Sequence, residues 1–169
     1  CEMLQLEMQE QYKNIISDLS LDDTQISFYD TDISSQIVID DDDLSKLLSF
    51  GYYIKIKNNN VIFLKIKLQN KNTDLTEILF KKIYNTISII YKNTTSNLLL
   101  NKNDIQCYDD ENCAFFWMFI NLDKNNSNLE IILNNKTKTS FNIDEKVIKK
   151  IEFLNFNGQI GKILGWSEN

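Results

Sequence analysis

An α+β fold, with antiparallel sheets and helices packed on one face, is what three features of this 169-residue sequence predict. In each half of the chain, stretches that alternate apolar and polar residues come first and stretches with apolar residues at helical spacing follow. Short polar, Asn-rich turns join the strand-like stretches, which favours hairpins over long crossovers. Regular βαβ alternation and Gly-rich turns are missing, with only four glycines in the chain, so a doubly wound parallel sheet is not expected.

Residues 1–19 (CEMLQLEMQEQYKNIISDL) contain no helix breaker. Cys1, Leu4, Met8 and Ile15 fall on one stripe, and Tyr12, Ile16 and Leu19 widen it. The narrow spacing predicts a helix that ends a coiled coil, or else an amphipathic helix packed on its own domain. QISFYDTD and SQIVID then read as short strands. Asp40 to Asp43 make a solvated turn that N-caps a short helix, LSKLLSF. The stretch YYIKIKNNNVIFLKIKLQN predicts a hairpin turned at Asn58-Asn59-Asn60, because Asn tolerates the left-handed backbone of a tight turn. Ile54 and Ile56 face one way on it. Lys55, Lys57, Lys65 and Lys67 gather on its solvent face. Residues 73–92 carry the strongest helical signal, with Asp74 and Glu77 close to a capping box and Leu75, Leu79, Ile83, Ile87 and Ile90 as the apolar stripe.

In the second half, LLLNKNDIQCYDD and CAFFWMFINLD read as strands. The latter is apolar enough to be buried on both faces. The turn DKNNSN follows, then the strands NLEIILNN and KTSFNI. EKVIKKIEFLNF, capped by Asp144, and GQIGKILGW close the chain as helices. The expected organisation is an N-terminal helix over 1–20, a first α+β unit over 21–95, and a second over 96–169.

Composition narrows the chemistry. Without His the commonest general base and metal ligand is missing, and no Ser-His or Cys-His pair can form. Cys1, Cys107 and Cys113 have no metal-ligand spacing. The turn with Asp123, Asn125 and Ser127 lacks the Gly and Glu that a calcium loop requires. Asp30 with Asp32, or Asp109, Asp110 and Glu111, could be paired acids only in solvated stretches, where their acidity stays ordinary. No catalytic residue, cofactor or metal is expected. All 18 basic residues are Lys, and the net charge is −6, which disfavours nucleic acid as a partner. The abundance of Asn, Ile and Lys looks like the coding bias of an AT-rich genome. No apolar run approaches the length of a membrane span. The sequons at Asn93, Asn125 and Asn135 are expected by chance in so Asn-rich a chain.

A helix leading into a compact head, with the order FFWMFINLD, NLEIILNN, SFNI and two closing helices, resembles the RWD-type domains of kinetochore subunits. Residues 26–92 resemble a first copy of the same head. The tandem arrangement is similar to CENP-O- and CENP-P-type subunits and to the C-terminus of the outer-kinetochore scaffold. That resemblance implies a non-catalytic scaffold, intracellular and nuclear, whose partner is another protein chain. Leu4, Met8, Tyr12 and Ile15 would hold the partner helix, and Trp166 is a candidate anchor because Trp is enriched at interface hot spots. Trp166 stapling the last helix to the core is the alternative. A longin- or roadblock-like trafficking module and a small carboxylate-dependent enzyme are the rival readings.

Overall fold

The structure, a computed structural model, describes residues 25–27, 31–33, 36–101, 114–134, 136–155, 157–160 and 163–167. It is all-β over those residues, apart from one 3-10 turn at Asp42–Lys46. The expected α+β fold with helices on one face is therefore corrected to two antiparallel sheets, and with it the tandem RWD-like plan.

The strands in chain order are β1 (Gln25–Ser27), β2 (Thr31–Ile33), β3 (Ile37–Ile39), β4 (Leu47–Ile56) and β5 (Val61–Gln69). Then come β6 (Leu75–Ile83), β7 (Thr86–Tyr91), β8 (Thr94–Leu99), β9 (Ala114–Asp123) and β10 (Asn128–Leu133). The chain finishes with β11 (Thr137–Asn142), β12 (Val147–Phe153), β13 (Gly158–Ile160) and β14 (Leu164–Ser167). The six-stranded sheet runs β3-β12-β5-β6-β7-β8. In the eight-stranded sheet the path is β1-β14-β4-β9-β10-β11, and β13 joins β2 to the far half of β4. Both sheets draw strands from before and after residue 95.

Alternation explains the two layers. In β5 the residues Ile66 and Leu68 are buried while Lys65 and Lys67 are half-exposed, so one face of the strand looks inward. A bulge at Phe63 turns both Phe63 and Leu64 inward. Aromatic side chains from the two sheets meet across the core: Tyr52 on Phe153 at 4.9 Å, Phe63 on Phe116 at 5.8 Å and Tyr91 on Phe141 at 5.9 Å between ring centres. Edge-to-face contacts of this kind add about 1 kcal/mol each beyond area burial. At one seam between the sheets, the Ser96 and Thr139 hydroxyls share a hydrogen bond of 2.6 Å.

The expected hairpin over 52–70 is half right. The Asn-rich turn exists, and Asn60 has φ of 59°. It joins strands of different sheets, since β4 pairs with β9, β13 and β14 and β5 with β6 and β12. Lys55 and Lys65 consequently lie on opposite sheets. Lys82, buried below this turn, donates to the Asn58 carbonyl at 3.4 Å and to the Asn59 side chain.

Three expected helices are strands. Residues 73–92 form the β6–β7 hairpin, 145–156 hold β12, and 158–166 hold β13 and β14. LSKLLSF is split between the 3-10 turn and β4, and Asp41 makes no side-chain cap bond. The strand expectations fare better: SQIVID, Val61–Gln69, NLEIILNN and KTSFNI hold β3, β5, β10 and β11, and β9 is buried on both faces. The expectations for residues 1–20, Asp30, Cys107, Asp109, Asp110, Glu111, Cys113 and Asn135 concern residues outside those described. Among the described residues no helix is long and apolar enough to cross a membrane.

Candidate functional site

Pairing places one side chain of β9, β10 and β11 in line on the outer face of the eight-stranded sheet, away from the core. Phe116, Met118, Ile120 and Leu122 of β9 enter the core, as do Leu129, Ile131 and Leu133 of β10 and Phe141 of β11. The residues between them must point outward. Register then builds three rows: Phe119–Ile132–Lys138, Asn121–Glu130–Ser140 and Asp123–Asn128–Asn142. Directly opposed side chains in such rows are close neighbours, within roughly 5 Å at Cβ.

The face changes character across its width. Toward β4 and β14 it is closed: Trp117, Phe119 and Trp166 are 0% exposed, and Phe119 lies 5.5 Å from Trp166 between ring centres. Ser49 of β4 is also buried, and its hydroxyl donates to the Asn121 side-chain oxygen at 2.6 Å. Toward the edge the face opens. Asn128, Glu130 and Ile132 are half-exposed, and Lys138, Ser140 and Asn142 are exposed. The open half thus presents amide, carboxylate, hydroxyl and ammonium groups around one aliphatic side chain, on a backbone fixed by two ladders.

Two devices hold this half in place. Asn134 ends β10 in the left-handed region (φ 52°), where Asn is tolerated. Its backbone N–H donates to the Trp117 carbonyl at 3.0 Å, and its side-chain oxygen accepts from the Trp117 N–H at 2.8 Å. At the other end, Asp123 closes the β9–β10 turn by accepting from the Asn126 N–H at 3.1 Å and from its side-chain amide at 2.8 Å. The Asn126 side-chain bond, against some burial and helped by backbone N–H groups of Asn126 and Asn125, holds the Asp123 carboxyl below its ordinary value. Lys146 reaches into the same turn, donating to the Lys124 carbonyl at 3.1 Å and to the Ser127 hydroxyl at 2.8 Å.

A second polar cluster lies between the sheets. Tyr91 donates to buried Glu145 at 2.8 Å, and the Lys92 ammonium is 3.9 Å from the same carboxylate. Burial alone would raise the Glu145 pKa, but bonds from Thr76 and Tyr91 and the Lys92 charge outweigh it, so the pKa is lowered. Desolvation, with Glu145 as partner, raises Tyr91. The cluster ties the β7–β8 turn to the segment before β12, which is a structural task. Among the described residues no group of three or more Cys, Asp or Glu is arranged to hold a metal ion.

Of the residues expected to bind a partner, Leu4, Met8, Tyr12 and Ile15 lie outside the described residues. Trp166 is described, and it is buried beside Phe119. The β9–β11 face was missed because its polar residues sit singly between apolar ones and carry no motif. The alternation of NLEIILNN was the signal that could have found it.

Fold and face define a two-sheet antiparallel sandwich with a polar outer surface on its larger sheet. The chain matches no protein-family model and no curated protein sequence. Solved structures do share its fold. One is the IT-sialidase CBM40 of Ruminococcus gnavus, 10% identical with a TM-score of 0.53, over 83% of this chain and 91% of that one. The same domain bound to α2,6-sialyllactose is 13% identical with a TM-score of 0.51, over 85% and 91%. A β-1,3-1,4-glucanase (lichenase) derived from a mouse hindgut metagenome is 12% identical with a TM-score of 0.50, over 73% and 67%. These likenesses are to all-β sandwiches, and they overturn the resemblance to RWD-type kinetochore subunits. The kinetochore scaffold role and the protein partner held through an N-terminal helix fall with that resemblance, and nothing favours the longin-like or carboxylate-enzyme readings.

Proposed function

We propose that the chain is a non-catalytic carbohydrate-binding domain that takes its ligand on the open half of the β9–β11 face. The observation that carries this reading is the register of Asn128 with Asn142, Glu130 with Ser140 and Ile132 with Lys138, which aligns donors and acceptors on the open half of the sheet. Sugar hydroxyls are donors and acceptors at once, and such a grid meets them in pairs. Ile132 offers an aliphatic surface for sugar C–H groups. The α2,6-sialyllactose bound by one solved structure of this fold makes sialylated oligosaccharides the first class to test. With no Arg in the chain, exposed Lys138 is the cation on this face that would meet a sugar carboxylate.

Two points support binding without catalysis. A general acid for glycoside cleavage needs a raised carboxyl pKa. Asp123 and Glu145 are both shifted the other way, and each is committed to neighbours within the fold. The test is calorimetric titration of the whole chain with sialylated and neutral oligosaccharides, with the products assayed in parallel. Saturable binding without cleavage is expected, and Glu130→Ala or Ser140→Ala should each weaken it about tenfold, the worth of one good hydrogen bond. Cleavage of the sugar, or affinity indifferent to both substitutions, would overturn the reading.

A further inference from the structure

The outer face of the six-stranded sheet carries a feature that the sugar-binding reading does not use. Lys65 and Lys67 point outward from β5, between the core residues Leu64, Ile66 and Leu68. Lys150 of β12 stands directly opposite Lys67, and Lys81 of β6 stands opposite Ile62, three positions before Lys65. The four ammonium groups follow a diagonal, Lys150–Lys67–Lys65–Lys81, that crosses three adjacent strands over roughly 15–20 Å.

Like charges directly opposed in a sheet cost stability, yet Lys150 and Lys67 are so placed. Compensation is partial. Glu152 lies 3.6 Å from Lys150, and Glu77 lies 4.0 Å from Lys67. Glu152 is also the register partner of Lys65, but its carboxylate is engaged by Lys150 and by Gln36. Lys65 and Lys81 make no ion pair among the described residues. In a chain of net charge −6, this diagonal sets four cations against two carboxylates.

We propose that this diagonal is a binding site for a linear polyanionic polysaccharide, a sulfated or uronate-rich chain laid across β12, β5 and β6. Charge complementarity selects the polyanion. A row of single charges on a sheet face suits a ligand whose charges repeat along its length. Two other polyanions fit less well. The outward residues of these rows (Glu77, Leu79, Ser88, Ile90, Thr95 and Asn97) include no aromatic side chain on which nucleic-acid bases could stack. The exposed apolar residues that a lipid surface would take up are scattered at the rim, with Leu75 at one end, Ile83, Tyr84 and Leu99 at the other, and Val38 on the edge strand.

The experiment uses the whole chain and heparin as the sulfated probe, with single-stranded DNA and anionic phospholipid vesicles as comparison ligands. At about 0.15 M salt heparin should bind and the other two should bind at least fivefold more weakly. The double substitution Lys65→Gln/Lys81→Gln should weaken heparin binding about tenfold and flatten its salt dependence by about two charges, since each lysine lost releases one counterion fewer. Lys136→Gln, in the β10–β11 turn on the other sheet, should leave it unchanged. No heparin binding, equal losses in the double and Lys136 variants, or tighter binding to DNA or vesicles would each overturn the proposal. All three lysines substituted here are half or fully exposed, so the variants should fold.

Discussion

Asn134 is a residue whose identity the backbone dictates. A left-handed conformation and two bonds to Trp117 are required at one buried position, and Asn meets both requirements. Asn134→Ala should cost about 2 kcal/mol, from the lost bond and the strained backbone, as a lowered urea midpoint with unchanged slope. Glu145 acts through charge. Its pKa is lowered in the fold, so its contribution is present above the ordinary value of 4.5 and is lost as pH falls through the depressed value. Glu145→Gln should therefore reduce stability at pH 7 and flatten the acid limb of a stability–pH curve, and a parallel limb would contradict this. Tyr52 behaves in the opposite sense. Burial raises its pKa well above 10.0, so stability falls as pH rises beyond that value. Tyr52→Phe should blunt that alkaline loss, at the cost of the 3.1 Å bond to the Met118 sulfur. None of these roles was legible in the sequence. Glu145 read as the first residue of a helix, and Asn134 was one of many Asn residues.

At the scale of elements, the strands were easiest to read where alternation was clean and the helices failed for identifiable reasons. Leu75, Leu79 and Ile83 are spaced by four, a spacing that one face of a strand satisfies as well as a helix does, and they lie on the outer face of β6. β-branched Ile and Thr throughout 76–90 favoured the strand. In β12 the bulge between Ile148 and Lys150 shifts the alternation by one residue, so Ile148 and Ile151 are both buried at a helix-like interval. The last strands were hidden by glycine. A Cβ at Gly158 would sit 1.8 Å from the Lys55 carbonyl oxygen, so glycine here allows β13 to close on β4 rather than capping a helix. Turns offer a direct test. Tyr84 opens the two-residue β6–β7 turn with φ of 51° and is 68% exposed. Tyr84→Gly should relieve about 1 kcal/mol of strain and raise the thermal midpoint, and an unchanged or lower midpoint would count against the turn as described.

The whole molecule interleaves its sequence. The first two strands pair with the last two, and the sheets exchange strands at β3, β4, β5, β9, β12 and β13. Local patterns cannot show such pairings, which explains why the strands read in the sequence were assembled into the wrong architecture. Interleaving also predicts one cooperative unit. Phe116 of the larger sheet packs on Phe63 of the smaller at 5.8 Å. Phe116→Ala should cost about 3–5 kcal/mol and lower the unfolding midpoints by Trp fluorescence and by far-ultraviolet dichroism together, whereas separated midpoints would show that the sheets unfold independently. Whether sugar binds on the β9–β11 face is read from backbone amide chemical shifts recorded while a sialylated oligosaccharide is titrated into the whole chain. Saturable shifts concentrated at Asn128, Glu130, Ile132, Lys138, Ser140 and Asn142 are the expected result. Shifts confined to other parts of the sandwich, or none at millimolar sugar (about the weak limit of a specific site), would contradict the account.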